Sequence, residues 1–226
     1  MSTVFDWGAD TAARERWRFP AVTASKVVGG LLDCVGGTIA FARNGQVFAE
    51  REPANYLYEI RSGCVRTYSV LSDGRRQIGS FYFPGDYLGL EAADTHAMSA
   101  EAVTACRARF IRREPLQVSA AGNQVLANQL LVLTTIELQR TQAHMMLLLK
   151  NATERVAGFL MEIFTREGMP HEVRLSMNRQ DIADYLGVTI ETVSRMLSRL
   201  ERAAIISMPT ARRVVMMDLS ALALLT

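Results

Sequence analysis

Near the carboxyl end, in the run GVTIETVSRMLSRLE, Glu191, Ser194 and Arg195 combine a carboxylate, a hydroxyl and a guanidinium within one helical turn. Setting Glu191 at zero and stepping about 100° per residue, Ser194, Arg195, Ser198 and Arg202 all fall within roughly 60° of it. Such a set can accept from cytosine N4 and donate to guanine O6 and N7 across a major groove. Val193, Met196, Leu197 and Leu200 fall on the opposite side and form the face this helix buries.

The elements that must hold this face are legible around it. Asn178 is a good N-cap, and Asp181 three residues on completes a capping box, so a helix is predicted to begin at Arg179. Ile182, Tyr185 and Leu186 form its apolar side. Ala183 stands where a second helix would cross, and Gly187 where the first must end in the left-handed region. Thr189 then caps the second helix, with Glu191 favourable at its positive end. Two helices joined by a short glycine turn, the second polar outward, predict a helix-turn-helix. The alternative is an amphipathic pair whose charges only solvate a surface. Downstream, Ile205–Ser207, the link MPTARR and Val214–Met217 read as a β-hairpin. Arg179, Thr189, Thr192, Ser198, Arg199, Arg212 and Arg213 are then the expected contacts to the DNA backbone, which position without reading sequence.

Upstream, short apolar runs from Leu31 to Ile111 alternate with turn signals at Gly36-Gly37, Asn44-Gly45, Ser62-Gly63, Asp73-Gly74 and Pro84-Gly85. Asn55–Arg61, Cys64–Val70 and Gln77–Phe83 have the aromatic and β-branched content of strands, which predicts an antiparallel β-roll or jelly roll. From Leu116 to Leu149 the period becomes helical. One stripe runs through Leu126, Leu130 and Leu133. A second runs through Val125, Val132, Ile136, Ala143 and Met146, with Gln129 and Gln139 between. Two stripes predict two partners, the β-roll and a second copy of the helix, giving a homodimer; a single broad buried face in a monomer is the alternative. A further helix is expected over Ala152–Arg166, with a break at Gly168-Met169-Pro170. The division is an arm over 1–25, a β-roll over 26–120, a dimerisation helix over 121–149, a helix and hinge over 150–170, and a winged helix-turn-helix over 171–226. The fold class is α+β.

Composition narrows the function classes. The chain has 226 residues, 49% of them hydrophobic and 21% charged, the balance of an ordinary folded protein. Its 25 basic and 23 acidic residues give a net charge of +2, too even to announce nucleic acid alone. Only Lys26 and Lys150 among the cations are lysines, which suits bidentate recognition but equally suits a GC-rich genome. Cys34, Cys64 and Cys106 form no C-x-x-C pair, so neither a disulfide framework nor a metal set is expected. His96, His144 and His171 do not cluster. No stretch reads as a secretory signal or membrane span, and a cytoplasmic location is expected. A jelly-roll metal enzyme would need converging His and carboxylate ligands, and from Leu31 to Ile111 there is one histidine, so no enzyme is expected.

RQDIADYLGVTIETVSRMLSRLE resembles the helix-turn-helix of the bacterial CRP/FNR transcription regulators, and the order of β-roll, long helix and winged helix extends that likeness over nearly the whole chain. The stretch FYFPGDYLGLEA and the second helix are most similar to the FixK-like branch. The resemblance implies a cyclic-nucleotide-binding-like roll, and an activator reading a TTGAT-type inverted repeat through an E-x-x-S-R motif. Arg195 would bind guanine, Glu191 the opposite cytosine, and Ser194 a neighbouring base or thymine methyl. It also implies an RNA polymerase contact at the hairpin of Asp73, Gly74, Arg75 and Arg76. Relatives that bind cyclic AMP hold its phosphate with an Arg-Ser-Ala or Arg-Thr-Ala run, where this chain has Met98-Ser99-Ala100. Glu91 is kept but the arginine is absent, so no cyclic AMP binding is expected. An iron–sulfur cluster is not expected either, for want of the N-terminal cysteine cluster. The alternative is a haem- or small-molecule-dependent sensor of nitric oxide or redox state in the same family.

Overall fold

The computed structural model describes residues 36–168 and 171–226. The expected arm over 1–25, Cys34 and the Met169-Pro170 step lie outside the described residues. Eight strands open the described chain: β1 (Gly37–Phe41), β2 (Gln46–Phe48), β3 (Tyr56–Ser62), β4 (Val65–Val70), β5 (Arg76–Tyr82), β6 (Tyr87–Leu88), β7 (Ser99–Ala102) and β8 (Cys106–Arg112). They form two antiparallel sheets, ordered β1-β8-β3-β6 and β2-β7-β4-β5. Inward residues of both sheets, among them Phe48, Ile60, Val65, Tyr82, Ala100 and Ala108, share one core. Gly63 supplies the positive φ of the turn from β3 to β4; a Cβ there would lie 2.3 Å from the Ala105 carbonyl oxygen.

The helical stretch breaks at Gly122-Asn123 into α1 (Arg113–Ala121) and α2 (Gln124–Leu148), the latter capped by the Asn123 side chain accepting from Leu126 N–H. Leu126, Leu133 and Ile136 are buried against Leu57, Tyr87, Ile111 and Leu116. Ile136 therefore does not belong to a face open to a second copy, as the sequence pattern had suggested. It lies on the same side as Leu133, and one broad stripe against the roll absorbs both; Val132 is half-buried beside it. Val125 and Met146 of the expected second stripe are 57% and 55% exposed, and a further apolar row is open as well. Leu131, Leu138 and Met145, seven residues apart, are 66%, 56% and 58% exposed.

Helix α3 (Ala152–Arg166) starts in a capping box made by Asn151 and Glu154. Val156, Ala157, Phe159, Leu160, Met161, Ile163 and Phe164 are all buried, so its apolar surface faces neighbours on most sides. Those neighbours come from both ends of the chain: Cys64, Ile78 and Phe81 from the roll, Ile182, Leu186, Val193 and Leu197 from the C-terminal part. Where α3 meets the roll, the fully buried Asp86 accepts from Arg140 of α2 and Arg166 of α3. Burying one carboxylate between two guanidiniums satisfies all three only as a set. Cys64 and Cys106 are buried, and burial pushes the Cys106 thiol up to about 11, the behaviour of a small hydrophobe rather than a nucleophile. No helix among the described residues is long and apolar enough to cross a membrane.

Asp86→Asn should cost about 3–5 kcal/mol, because it leaves two buried guanidiniums short of a charge; chemical denaturation measures it, and a loss within the noise of a surface substitution would contradict the assigned role.

Candidate nucleic-acid interface

Beyond residue 170, β9 (Glu172–Arg174), α4 (Arg179–Leu186), α5 (Ile190–Arg202), β10 (Ile206–Thr210), β11 (Arg213–Met216) and α6 (Leu219–Leu224) follow in order. The hairpin β10-β11 gains a third strand, β9, paired antiparallel to β11 through Arg213↔Arg174, Val214↔Val173 and Val215↔Glu172. Three residues of strand are too short for a periodic signal, so β9 was not legible.

The local chemistry sets the two helices as the residues require. Asn178 accepts from Asp181 N–H at 2.8 Å, and the Asp181 carboxylate accepts from Asn178 N–H at 3.3 Å. Gly187 ends α4 at φ 62°, where a β-carbon would be strained. Arg155 of α3 closes that end by donating to the Leu186 carbonyl at 2.8 Å, a contact across 31 residues that leaves no local signal in sequence. Thr189 accepts from Thr192 N–H at 3.2 Å and starts α5. Val193, Met196, Leu197 and Leu200 are buried, and Ala183 is fully buried in the α4 helix they pack beside.

The other side of α5 faces water. Glu191, Arg195, Ser198, Arg199 and Arg202 are exposed, and Thr192 and Ser194 are half-buried. The N–H of Glu191 itself and the Thr189 hydroxyl hold the Glu191 carboxyl below the usual carboxylate range, so it is an ionised acceptor at neutral pH. Arg179 Nη1 donates to Ser194 Oγ at 3.0 Å. That bond takes a lone pair, which leaves the Ser194 hydroxyl proton to be donated outward. The expected backbone contacts are not equivalent. Arg199 is exposed and Arg212 half-buried, whereas Arg179 is tied to Ser194 and Arg213 is paired with Glu172 at 2.5 Å.

The hairpin of Asp73, Gly74, Arg75 and Arg76 also differs from expectation. Asp73, Gly74 and Arg75 form its exposed tip, with Arg75 Nε donating to Asp73 at 2.7 Å. Arg76 does not join them. It donates to Asp184 at 2.8 Å and Asp181 at 2.6 Å of α4, and Ile78 is fully buried. A guanidinium one residue past an exposed turn looks free in sequence; its partners lie 105 and 108 positions away.

An outward polar face on the second of two capped helices, backed by a three-stranded wing, is what a major-groove reader requires. A family model described as the Crp-like helix-turn-helix domain matches residues 154–225, and one described as the cyclic nucleotide-binding domain matches residues 38–119. The chain is 45% identical over 194 residues to the nitrogen fixation regulation protein FixK of Azorhizobium caulinodans, covering 83% of this chain and 78% of that one. The chain belongs to the CRP/FNR family of transcription regulators. It is also 38% identical to FixK of Rhizobium meliloti over 78% of this chain and 81% of the relative. Its fold matches the structure of FixK2 from Bradyrhizobium japonicum with a TM-score of 0.82 at 41% identity, over 84% of this chain and 97% of the other. These CRP/FNR relatives are regulators, not enzymes, and α+β architecture with a C-terminal helix-turn-helix is common to them.

The family's cyclic-nucleotide-binding roll invites a test of fit. A cavity of about 300 Å³ between the roll and α2 is lined by Phe48, Thr67, Tyr82, Glu91, Thr134 and Glu137 among others, with two carboxylates and no cation among the described residues. A cyclic phosphate there would meet like charge and find no guanidinium. His96 stacks on Phe48 with ring centroids 3.5 Å apart and meets Glu91 through Nδ1 at 3.1 Å. His144 donates from Nε2 to the Tyr185 carbonyl at 2.8 Å. Among the described residues no group of three or more His, Cys, Asp or Glu could hold a metal ion.

Gly187→Ala should cost about 1–2 kcal/mol through backbone strain alone, since the added Cβ would meet only Arg155 and Leu148 atoms at 3.6 and 3.7 Å. Thermal unfolding checks this, and an unchanged or raised midpoint would mean the turn tolerates a side chain.

Proposed function

We propose that the chain acts as a homodimeric transcription activator that reads a TTGAT-type inverted repeat through α5 without cyclic nucleotide, haem or an iron–sulfur cluster. The observation that carries this reading is the exposed face of α5, where an ionised Glu191, a proton-donating Ser194 and Arg195 project beyond a buried apolar side. Arg195 would fork onto guanine O6 and N7, Glu191 would accept from cytosine N4, and Ser194 would donate to a neighbouring base. Thr189, Thr192, Ser198, Arg199 and Arg212 would lie along phosphates, with Arg179 and Arg213 less available because each already has a protein partner. The β-roll of 26–120, the helix of 121–149 and the winged domain from 171 are the corresponding working units.

The ridge Leu131, Leu138 and Met145, with Gln139 and Met146 toward one edge, is the surface on which a second copy would pair. A seven-residue apolar repeat exposed along a long helix is the pattern of a coiled-coil seam. Val125, Val132 and Ala143 lie about 120–140° round the helix from that row, and Gln129 on its far side. Absence of a cation in the roll cavity supports activity without an anionic effector. The exposed tip Asp73, Gly74 and Arg75 is the part of the roll hairpin available to RNA polymerase.

Gel shift of the protein without added ligand, on a TTGAT inverted repeat and a scrambled copy, tests the reading; equal affinity for both duplexes would end it. Arg195→Ala should keep the fold within about 0.5 kcal/mol and lose about 1–3 kcal/mol of discrimination at the guanine. Arg212→Ala should instead weaken all duplexes alike and flatten the salt dependence. Leu138→Glu should convert a dimer to a monomer in sedimentation velocity at micromolar concentration, and a wild-type monomer there would remove the pairing.

A further inference from the structure

Helix α4 is fastened to the roll by charge. Arg66 of β4 donates to Asp181 at 2.8 Å and to Glu101 of β7 at 2.9 Å. Arg76 of β5 donates to the same Asp181 at 2.6 Å and to Asp184 at 2.8 Å. The Arg66 and Asp181 side chains are 7% and 2% exposed, so the bond between them is made away from water, where it is strong and directional, while Arg76 is 26% exposed at the edge of the cluster. A second contact comes from α2, whose His144 ring stacks on Tyr185 of α4 with centroids 3.9 Å apart and planes 6° from parallel. The roll and α2 thus hold one side of α4, while α5 faces away with its polar side exposed.

We infer that Arg66, Arg76, Asp181 and Asp184 are positioning residues that set where each recognition helix stands relative to the dimer axis, and therefore which spacing between half-sites the protein accepts. The inference rests on the dimeric, DNA-reading proposal above. B-DNA rises about 3.4 Å per base pair and completes a turn in about 10 pairs. One added pair therefore moves the second half-site by about 3 Å and rotates it by about 35°. A domain hung on a free linker at Leu149–Lys150 would follow that displacement. A domain clamped by buried ion pairs follows it only by breaking them. Base reading and spacing then belong to different residues, since none of the four clamp residues is on α5.

The test uses the full chain as wild type, Arg76→Gln and Asp184→Asn. Selection from a pool of randomised duplexes first defines the inverted repeat. Affinities are then measured for that repeat, for copies whose central spacer is one pair longer or shorter, and for a copy with one half-site base changed. The wild type should lose affinity steeply on the spacer changes. Both variants should reduce that spacer penalty by about tenfold while keeping the penalty for the changed base. Asp184→Asn leaves the Asn178 cap and Asp181 in place, so it reports on the clamp even where Arg76→Gln folds poorly. Variants that keep the wild-type spacer penalty overturn the inference, as does a wild type that is selective for the half-site but indifferent to spacing. Failure to select any repeat would instead remove the base-reading proposal, and this inference with it.

Discussion

Helix α3 is the element on which the arrangement depends. A helix of 15 residues with seven large or close-packed apolar side chains buried can satisfy them only by drawing neighbours from several directions at once. Here those neighbours belong to the β-roll and to the helix-turn-helix, so one continuous apolar cluster joins parts of the chain more than a hundred residues apart. Apolar burial is non-directional and fixes that the parts meet, not how. Direction comes from the polar groups at the edge of the cluster: Asp86 between Arg140 and Arg166, and Tyr185 donating to Glu162 at 3.2 Å. Each has one arrangement in which no buried charge is left unpaired.

The same constraint explains why α5 can carry function. Its apolar side is committed to the shared cluster through Val193, Met196, Leu197 and Leu200, so the other side is forced outward whatever residues it holds. Glu191 in the first turn, near the positive end of the helix, and Arg199 and Arg202 in the last are also where the macrodipole favours them. Arg179 of α4 is tied to Ser194 on the outward face of α5, a bond that orients a hydroxyl rather than fixing a backbone.

Most of this was readable from residues, and the exceptions have a common cause. The caps at Asn178 and Thr189, the glycine stop at Gly187 and the buried side of α5 are local consequences of spacing, and all appear as the spacing dictates. Strands β3, β4 and β5 lie within a residue or two of the aromatic and β-branched runs that mark them. What spacing could not show is which partner a long side chain finds. Arg76 reads as a hairpin charge and is in fact a ligand of α4. Ile136 reads as part of a second seam and is spent on the roll, because a stripe at helical period says that a residue is buried and not by what. The exposed heptad of Leu131, Leu138 and Met145 was masked by the stronger apolar signal beside it. The helix expected over 121–149 is found as α2, which begins just after the breaker Gly122 and is capped by Asn123.

In the proposed ligand-free mode the roll would act without an effector. A ligand can shift a two-state protein only through contacts that differ between the states. In this chain the surfaces that would have to differ are already joined by the chain's own groups: Arg66 and Arg76 to the carboxylates of α4, and His144 to Tyr185. Burial holds the His144 imidazole below its ordinary pKa, so near pH 7 it is neutral, donates its one N–H from Nε2 to the Tyr185 carbonyl and packs as an aromatic plate. In the proposed ligand-free mode the roll is therefore scaffold. The energy that an effector would supply as differential binding comes instead from ion pairs between roll and helix, which are present whenever the protein is folded.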